Sequence, residues 1–522
     1  MQMTKPVVLV VLDGWGIGEK SQGNALEKAH LPNIKKLNYY YPHIALQASG
    51  ISVGLPWGEP GNSEVGHTAL GTGAVIYQNM PRITMSIQNG EFFKNDAFLK
   101  ALQNTKARKT SLHLMGLVGK GGVHSNTDHL YALLELAKGQ KAEHVFIHAF
   151  TDGRDSAPTS GVESIKELQQ RLADTGIGKI ATLGGRYFGM DRNNNWDRVK
   201  KSYDTMTKGE GQKTDNPIKY LQSSYNQGIY DEYIEPAIIM EKNSPVGLIQ
   251  NGDSVIFFNF REDRARQITR AFVMPDFKGF PRKEIRDLFF ATMTQYEDNL
   301  PVEVAYKPIR IENCLGKVLS ENNFSQLRIA ETEKFAHVTY FFNGGNEEPF
   351  PKEDRMIIPS IDVSSFDKAP EMKAEEITEK VVGFIKKEKY DFILMNYANA
   401  DIVGHTGNEA AATRAVEVVD NCLGKLIPAV ISKKGCLFIT ADHGNVEEMK
   451  NTSTGEIDTE HSVNPVPLWF VTAQNHRKAE NTDEEKVRVA GLLSDIAPTI
   501  LKILGIEKPA EMTGESLLEI LK

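Results

Sequence analysis

Cysteine is scarce in this chain of 522 residues: Cys314, Cys422 and Cys436 are all it has. Their number is odd and no two stand in a CxxC spacing, so a disulfide framework is excluded and a reducing, cytoplasmic setting is expected. Long apolar runs are lacking too. Pro6 to Leu12 could pass for the core of a signal peptide, but it stops at Asp13 with no small-residue cleavage site after it. No run is long enough to cross a bilayer. Nor is positive charge in excess. Sixty Lys and Arg stand against 68 Asp and Glu, a net charge of −8, which argues against nucleic acid or an anionic membrane as partner. An anionic small molecule stays open, provided arginines cluster locally. Internal repeats, low-complexity tracts and coiled-coil heptads are missing as well.

What is present is ordinary globular composition, 40% hydrophobic and 25% charged, over a length that calls for two or more domains. Pro6–Leu12 is a near-continuous β-branched run, the mark of a strand buried on both faces of a parallel sheet. Further strands are predicted at 111–118, 144–149, 179–183, 253–260, 288–294, 328–331, 356–358, 391–396 and 436–440. Helices are predicted at 24–41, 84–105, 125–138, 160–175, 197–207, 335–342 and 409–430. The last of these sets Ala415, Val419, Cys422, Leu426 and Val430 on one face, which reads as core. The alternation predicts an α/β fold of two α/β domains.

Chemistry-bearing residues collect where strands end. In open α/β sheets that is where ligands gather. Asp13 closes the first strand, in Asp13-Gly14-Trp15-Gly16. Gly61-Asn62-Ser63-Glu64-Val65-Gly66-His67 follows a Gly/Pro-rich loop and reads as a helix start, so Ser63 would meet free backbone N–H groups and the positive end of the helix dipole. Alone it is no more than a capping serine. Asp401 and His405 stand four apart, one helical face, after the strand 391–396. Asp442 and His443 follow the strand 436–440, with Gly444 to turn the chain, and His461 comes after them. Carboxylates and imidazoles without thiolate suit Mn²⁺ or Zn²⁺. Asp13, Ser63, Asp401, His405, Asp442, His443 and His461 exceed one tetrahedral site and suit two ions acting on a phosphoryl group.

Asp13-Gly14-Trp15-Gly16, the Ser63 stretch, Asp401-Ile402-Val403-Gly404-His405 and Thr440-Ala441-Asp442-His443-Gly444-Asn445 together resemble the cofactor-independent phosphoglycerate mutases, members of the alkaline phosphatase superfamily. The resemblance runs from Val7 to the C-terminus, in the family's order. It implies a discontinuous, metal-binding phosphatase-like domain, residues 1–77 and 311–522, with a substrate-binding transferase domain, 78–310, inserted in it. It implies two Mn²⁺ per chain, with Co²⁺ or Zn²⁺ as substitutes: one on Asp401, His405 and His461, the other on Asp13, Ser63, Asp442 and His443. Ser63 would be the nucleophile. No 2,3-bisphosphoglycerate would be needed, and the protein would be a monomer.

The resemblance also assigns the substrate grip. His124, Arg154, Asp155, Arg186, Arg192, Arg261 and Arg264 come from the middle of the chain, and most follow predicted strands. Lys334 would meet the substrate phosphate. The planar fork of arginine suits carboxylate and phosphate, although any one of these arginines read singly is a surface ion pair. The implied reaction interconverts 3-phosphoglycerate and 2-phosphoglycerate through phosphoserine, with Asp155 as acid and then base. The alternative is a related metal-dependent phosphatase or sugar-phosphate mutase of the same superfamily.

Overall fold

The computed structural model describes residues 5–451, 453–476 and 487–521. The chain divides into two compact units, Met1–Gln78 with Arg310–Lys522, and Asn79–Ile309. Each is built on its own sheet, and the fold is mixed α/β.

In the first unit, eight strands lie in the order Glu353–Ile358, Gln326–Glu331, Phe392–Tyr397, Val7–Leu12, Cys436–Thr440, Val466–Val471, His43–Gln47 and Val489–Leu492. The first five run parallel. Val7–Leu12 is buried along its whole length, as its unbroken apolar sequence demands. It lies between Phe392–Tyr397 and Cys436–Thr440, with Leu12 opposite Tyr397 and Val11 opposite Thr440. That register puts the residues that follow these three strands side by side at one edge.

The second unit repeats the plan. Its sheet runs Glu303–Tyr306, Phe289–Thr294, Ser254–Phe257, Leu112–Leu117, Val145–Thr151, Lys179–Gly185, Ala237–Glu241 and Gln212–Thr214, with Ser244–Pro245 paired to Ala237–Glu241. The first six are parallel. Apolar side chains pack on both faces, with Leu114, Ile147 and Ile256 in one cluster and Met115, Phe150 and Phe257 in the other.

Three predicted helices differ from those formed. The helix expected over 24–41 is two, Ala25–Lys28 and Pro32–Tyr40. Proline has no N–H to give and is accepted in a first turn, while the residue before it is pushed out of helical geometry. The helix expected over 84–105 is broken into Asn79–Gln88, the 3₁₀ turn Glu91–Lys94 and Asp96–Arg108. Gly90, at φ +83°, makes the break. The segment 335–342 forms a π-helical turn, His337–Phe341, just after the 3₁₀ turn that carries Lys334.

Candidate metal centre and anion site

The first unit gathers its polar side chains at the carboxyl ends of its central strands. Gly14, at φ +74°, turns the chain right after Asp13, and a Cβ there would lie 2.7 Å from Asp401 Cα. Asp401 N–H donates to the Asp13 carbonyl at 3.0 Å, so the two carboxylates are tied through backbone. Ser63 opens the helix Ser63–Thr72, whose cap is Asn62: its side chain accepts from Val65 N–H. A Cβ at Gly66 would lie 2.6 Å from the Asp442 carbonyl oxygen, so only glycine lets this helix sit against the Asp442 turn.

Ser63 Oγ donates to Asp13 Oδ1 at 3.1 Å and lies 2.9 Å from His443 Nε2. Lys334 Nζ donates to Ser63 Oγ at 2.7 Å and pairs with Asp13 Oδ1 and Asp401 Oδ2, both at 2.6 Å. All of these side chains are buried. Burial pushes the Asp13 carboxyl upward, but Lys334 and His443 outweigh it and the net shift is downward. Asp401 behaves alike: burial raises it, and Lys334 with its histidine partners brings it well below the usual carboxylate range. His443 goes the other way. Burial lowers it, yet Asp442, Asp13 and Asp401 lift it to about 9.

Whether these residues suit divalent cations is decided by their lone pairs. His405 Nδ1 faces the Thr459 carbonyl at 2.7 Å and His461 Nδ1 faces the Gly61 carbonyl at 2.8 Å. A carbonyl only accepts, so each Nδ1 carries a proton and each neutral ring offers its Nε2 lone pair. The two Nε2 atoms lie 3.0 Å apart, at 3.3 and 3.1 Å from Asp401 Oδ1. Two imidazole lone pairs and a carboxylate oxygen converging on one point suit a cation, and the Asp401 carboxylate raises the pKa of His405. Asp442 Oδ2 is buried and accepts no hydrogen bond of good geometry, with His67 Nδ1 standing 3.1 Å from it. The donor set therefore fits hard to borderline divalent ions.

The grouping by distance is not identical to the one the resemblance implies. Asp401, His443 and His461 offer ligand atoms within 4.8 Å of one another, as do Asp13, His67 and Asp442. His443 thus stands near both sets. His67 was quoted in the sequence motif and given no role there. Its Nδ1 donates to the Ser63 carbonyl at 2.9 Å, and its Nε2 accepts from Asn396 Nδ2, which also donates to Asp13 Oδ2 at 2.7 Å. With Nδ1 so engaged, His67 orients Asp13 and Ser63 through these bonds. Asn396, an amide at a strand end, carries no signal of its own in the sequence.

In the second unit the residues after four parallel strands meet. Arg186, 1% exposed, donates from one nitrogen to Asp152 Oδ1 at 2.5 Å and to Asp155 Oδ2. Asp152, unremarked in the sequence although it sits in Thr151–Asp155, also accepts from Arg154 N–H and Asp155 N–H. Burial raises its pKa, and Arg186 leads the contacts that pull it below the ordinary value. Asp263, equally unremarked, pairs with Arg192 at 2.8 Å and with Arg261 at 3.4 Å. Arg154 lies at 3.6 Å from Glu232, with half its side chain exposed, and Arg264 donates to the Met190 carbonyl. His124 is buried between Asp155 and Asp263, at 3.7 Å from each. Burial, then Arg186, push it down to about 4, so it is neutral at pH 7. Each arginine of this cluster is held in place by a carboxylate or a carbonyl, and a planar guanidinium fork can take a carboxylate or phosphate.

Each of the two sheets gathers charged side chains after its strands, carboxylates and histidines in one unit and arginines in the other, which defines the class as an α/β enzyme with its chemistry at strand ends. Residues 83–298 match the family described as the BPG-independent PGAM N-terminus. A 2,3-bisphosphoglycerate-independent phosphoglycerate mutase of Clostridium perfringens is 50% identical over 515 residues, 98% of this chain and 99% of that protein. Its namesake in Clostridioides difficile is 48% identical over 517 residues, 99% of each. A crystal structure of Leishmania mexicana phosphoglycerate mutase at low cobalt concentration covers 98% of this chain and 97% of its own, at 30% identity and a TM-score of 0.53. The chain belongs to the family of 2,3-bisphosphoglycerate-independent phosphoglycerate mutases.

Proposed function

We propose that the protein interconverts 3-phosphoglycerate and 2-phosphoglycerate by way of phosphoserine at Ser63, with two divalent ions and without 2,3-bisphosphoglycerate. The observation that carries this is the Ser63 hydroxyl, first residue of a helix, within 3.1 Å of Asp13, His443 and Lys334. Asp401, His405 and His461 would hold one ion, and Asp13, Ser63, Asp442 and His443 the other. Mn²⁺ is the ion proposed, with Co²⁺ or Zn²⁺ as substitutes. When bound, such ions lower the pKa of a coordinated hydroxyl and neutralise phosphoryl charge.

The chain's own residues supply the rest. The first turn of the Ser63 helix directs N–H groups toward incoming phosphate oxygens. Lys334 holds its proton, its pKa raised by Asp13 and Asp401 against the lowering effect of burial. It therefore brings a full positive charge to the serine oxygen and the transferring group. Ser63 attacks phosphorus in line, and Asp155 gives a proton to the departing glycerate oxygen. Arg154, Arg186, Arg192, Arg261, Arg264 and His124 retain the glycerate while it turns to present its other hydroxyl. Asp155 then takes the proton of that second hydroxyl, whose oxygen attacks the phosphoserine; the new P–O bond forms as the bond to Ser63 Oγ breaks. The middle unit is thus read as the transferase part and the outer one as the metal-binding part. The reading carries with it a monomeric, cytoplasmic enzyme with a small-molecule substrate; three buried unpaired cysteines suit a reducing compartment.

A plain phosphatase would share the Ser63 centre and need no grip on the leaving alcohol. Incubating the Mn²⁺-loaded protein with 3-phosphoglycerate separates the two. Isomer formation without 2,3-bisphosphoglycerate is expected, and release of inorganic phosphate in its place contradicts the proposal.

A further inference from the structure

Glu447 takes no part in the reaction described above, yet its carboxyl lies among the loops that bear the proposed ligands. It is 1% exposed. Oε2 accepts from Gly16 N–H and from Asn445 N–H, both at 2.9 Å. Oε1 accepts from the Ser462 hydroxyl and from Asn464 Nδ2, the latter at 3.1 Å. Gly16 stands three residues after Asp13, Asn445 two after His443, and Ser462 next to His461. One side chain therefore ties together three loops that are remote in sequence, each carrying a ligand.

The surroundings are shaped for it. A Cβ added at Gly16 or at Gly444 would run into the Glu447 carboxyl, and one at Gly18 would lie 2.8 Å from its Cγ. The same loops are stitched by backbone: Ser462 N–H donates to the Gly444 carbonyl at 3.0 Å, Val446 N–H to Gly14 at 3.2 Å and Ile17 N–H to Pro465 at 2.7 Å. Two oxygens with two donors each leave a carboxyl fully engaged, which a shorter or apolar side chain cannot imitate.

We infer that Glu447 is a positioning residue of the metal centre, fixing the mutual geometry of the Asp13, Asp442–His443 and His461 loops so that their ligand atoms converge. This rests on the reading of those residues as metal ligands. Groups that orient ligands from outside the coordination sphere change metal affinity by about 10- to 100-fold.

The test is calorimetric titration of the metal-free, full-length protein with Mn²⁺, alongside thermal unfolding in EDTA, for wild type, Glu447→Ala and Glu447→Gln. Glu447→Ala is expected to bind Mn²⁺ about 10- to 100-fold more weakly. Glu447→Gln, which keeps one acceptor oxygen and the shape, recovers much of the affinity. A folded Glu447→Ala protein with wild-type affinity, even one that unfolds at lower temperature, overturns the inference and leaves the metal reading standing. A wild type that does not bind Mn²⁺ overturns the metal reading itself. If Glu447→Ala does not fold, Ser462→Ala removes one of the four bonds and decides the matter: weaker binding supports the inference, an unchanged Kd overturns it.

Discussion

The two units shift a buried histidine in opposite directions. In the first, His443 faces Asp13, Asp401 and Asp442 and is lifted to about 9 in spite of burial. In the second, His124 is buried beside Arg186 and driven down to about 4. On the proposed reading the carboxylates and imidazoles of the first unit hold cations, and the arginines of the second hold an anion. Within the first unit the effect is local, for His337, buried and set against His67, falls to about 4. What decides a histidine's charge here is whether nearby carboxylates outweigh burial, as they do at His443 and do not at His124 or His337.

The comparison breaks most sharply at Ser63, the proposed nucleophile. Ser63→Ala is expected to lower kcat roughly ten-thousand-fold or more, as removal of a covalent nucleophile does, with the fold intact by circular dichroism. No change in the second unit should compare with it in kcat alone. Substantial mutase activity in Ser63→Ala removes the contrast.

Next come the arginines, which should fall into two kinds. Arg186 is buried and bonded to Asp152 and Asp155. Arg186→Ala leaves two carboxylates without their cation and should destabilise the protein by about 3–5 kcal/mol, the usual cost of breaking a buried pair. Arg261 is half exposed, 3.4 Å from Asp263. Arg261→Ala should leave the denaturation midpoint nearly unchanged and raise KM by roughly 10- to 100-fold, the worth of a charged hydrogen bond. Equal effects of the two on stability would refute this division.

Acid and base should also separate His443 from the lowered histidines. A histidine raised in the folded state contributes stability below its unfolded pKa and loses it as pH rises through the folded value. For metal-free protein, His443 thus gives stability that is complete below about pH 6.5 and fades toward about 9. Because its proton must leave before an ion is held, Mn²⁺ affinity should climb with pH from 7 toward 9, with proton release detectable as a buffer-dependent binding enthalpy. A pH-independent Kd over that range contradicts it.

The second unit should respond in the opposite sense. His124 and His129 are each lowered to about 4 by burial, His124 with help from Arg186. The unfolded chain binds more protons between about pH 4 and 6.5, so stability is lost as pH falls through that window. By pH 5 each should cost about 2 kcal/mol. Amide exchange should speed up in peptides around His124 and His129, and substituting His129 by Gln should remove about half of the effect.

Most of the fold was legible because buried parallel strands write themselves as unbroken β-branched runs, as at Val7–Leu12. The strands His43–Gln47 and Val466–Val471 were not, since their polar or proline residues interrupt the pattern and only pairing makes them strands, Val466–Val471 against Cys436–Thr440 and His43–Gln47 against Val466–Val471. At the site, Ser63, Asp401 and His461 stood out as residues able to do chemistry in loops after strands. Asn396, Asp152, Asp263 and Glu447 did not. Each works by touching a side chain or loop that is distant in sequence or that shows itself only after folding, and nothing in residue type or spacing marks such a partner.

The central claim is that the phosphoryl group rests on the Ser63 oxygen between two half-reactions. The direct measurement is acid quenching of the Mn²⁺-loaded protein during turnover with 3-phosphoglycerate, followed by peptide mass spectrometry. The account predicts one added phosphoryl group on the peptide containing Ser63, absent in Ser63→Ala. Phosphate found on another residue, or turnover with no phosphorylated peptide and an active Ser63→Ala, would contradict it.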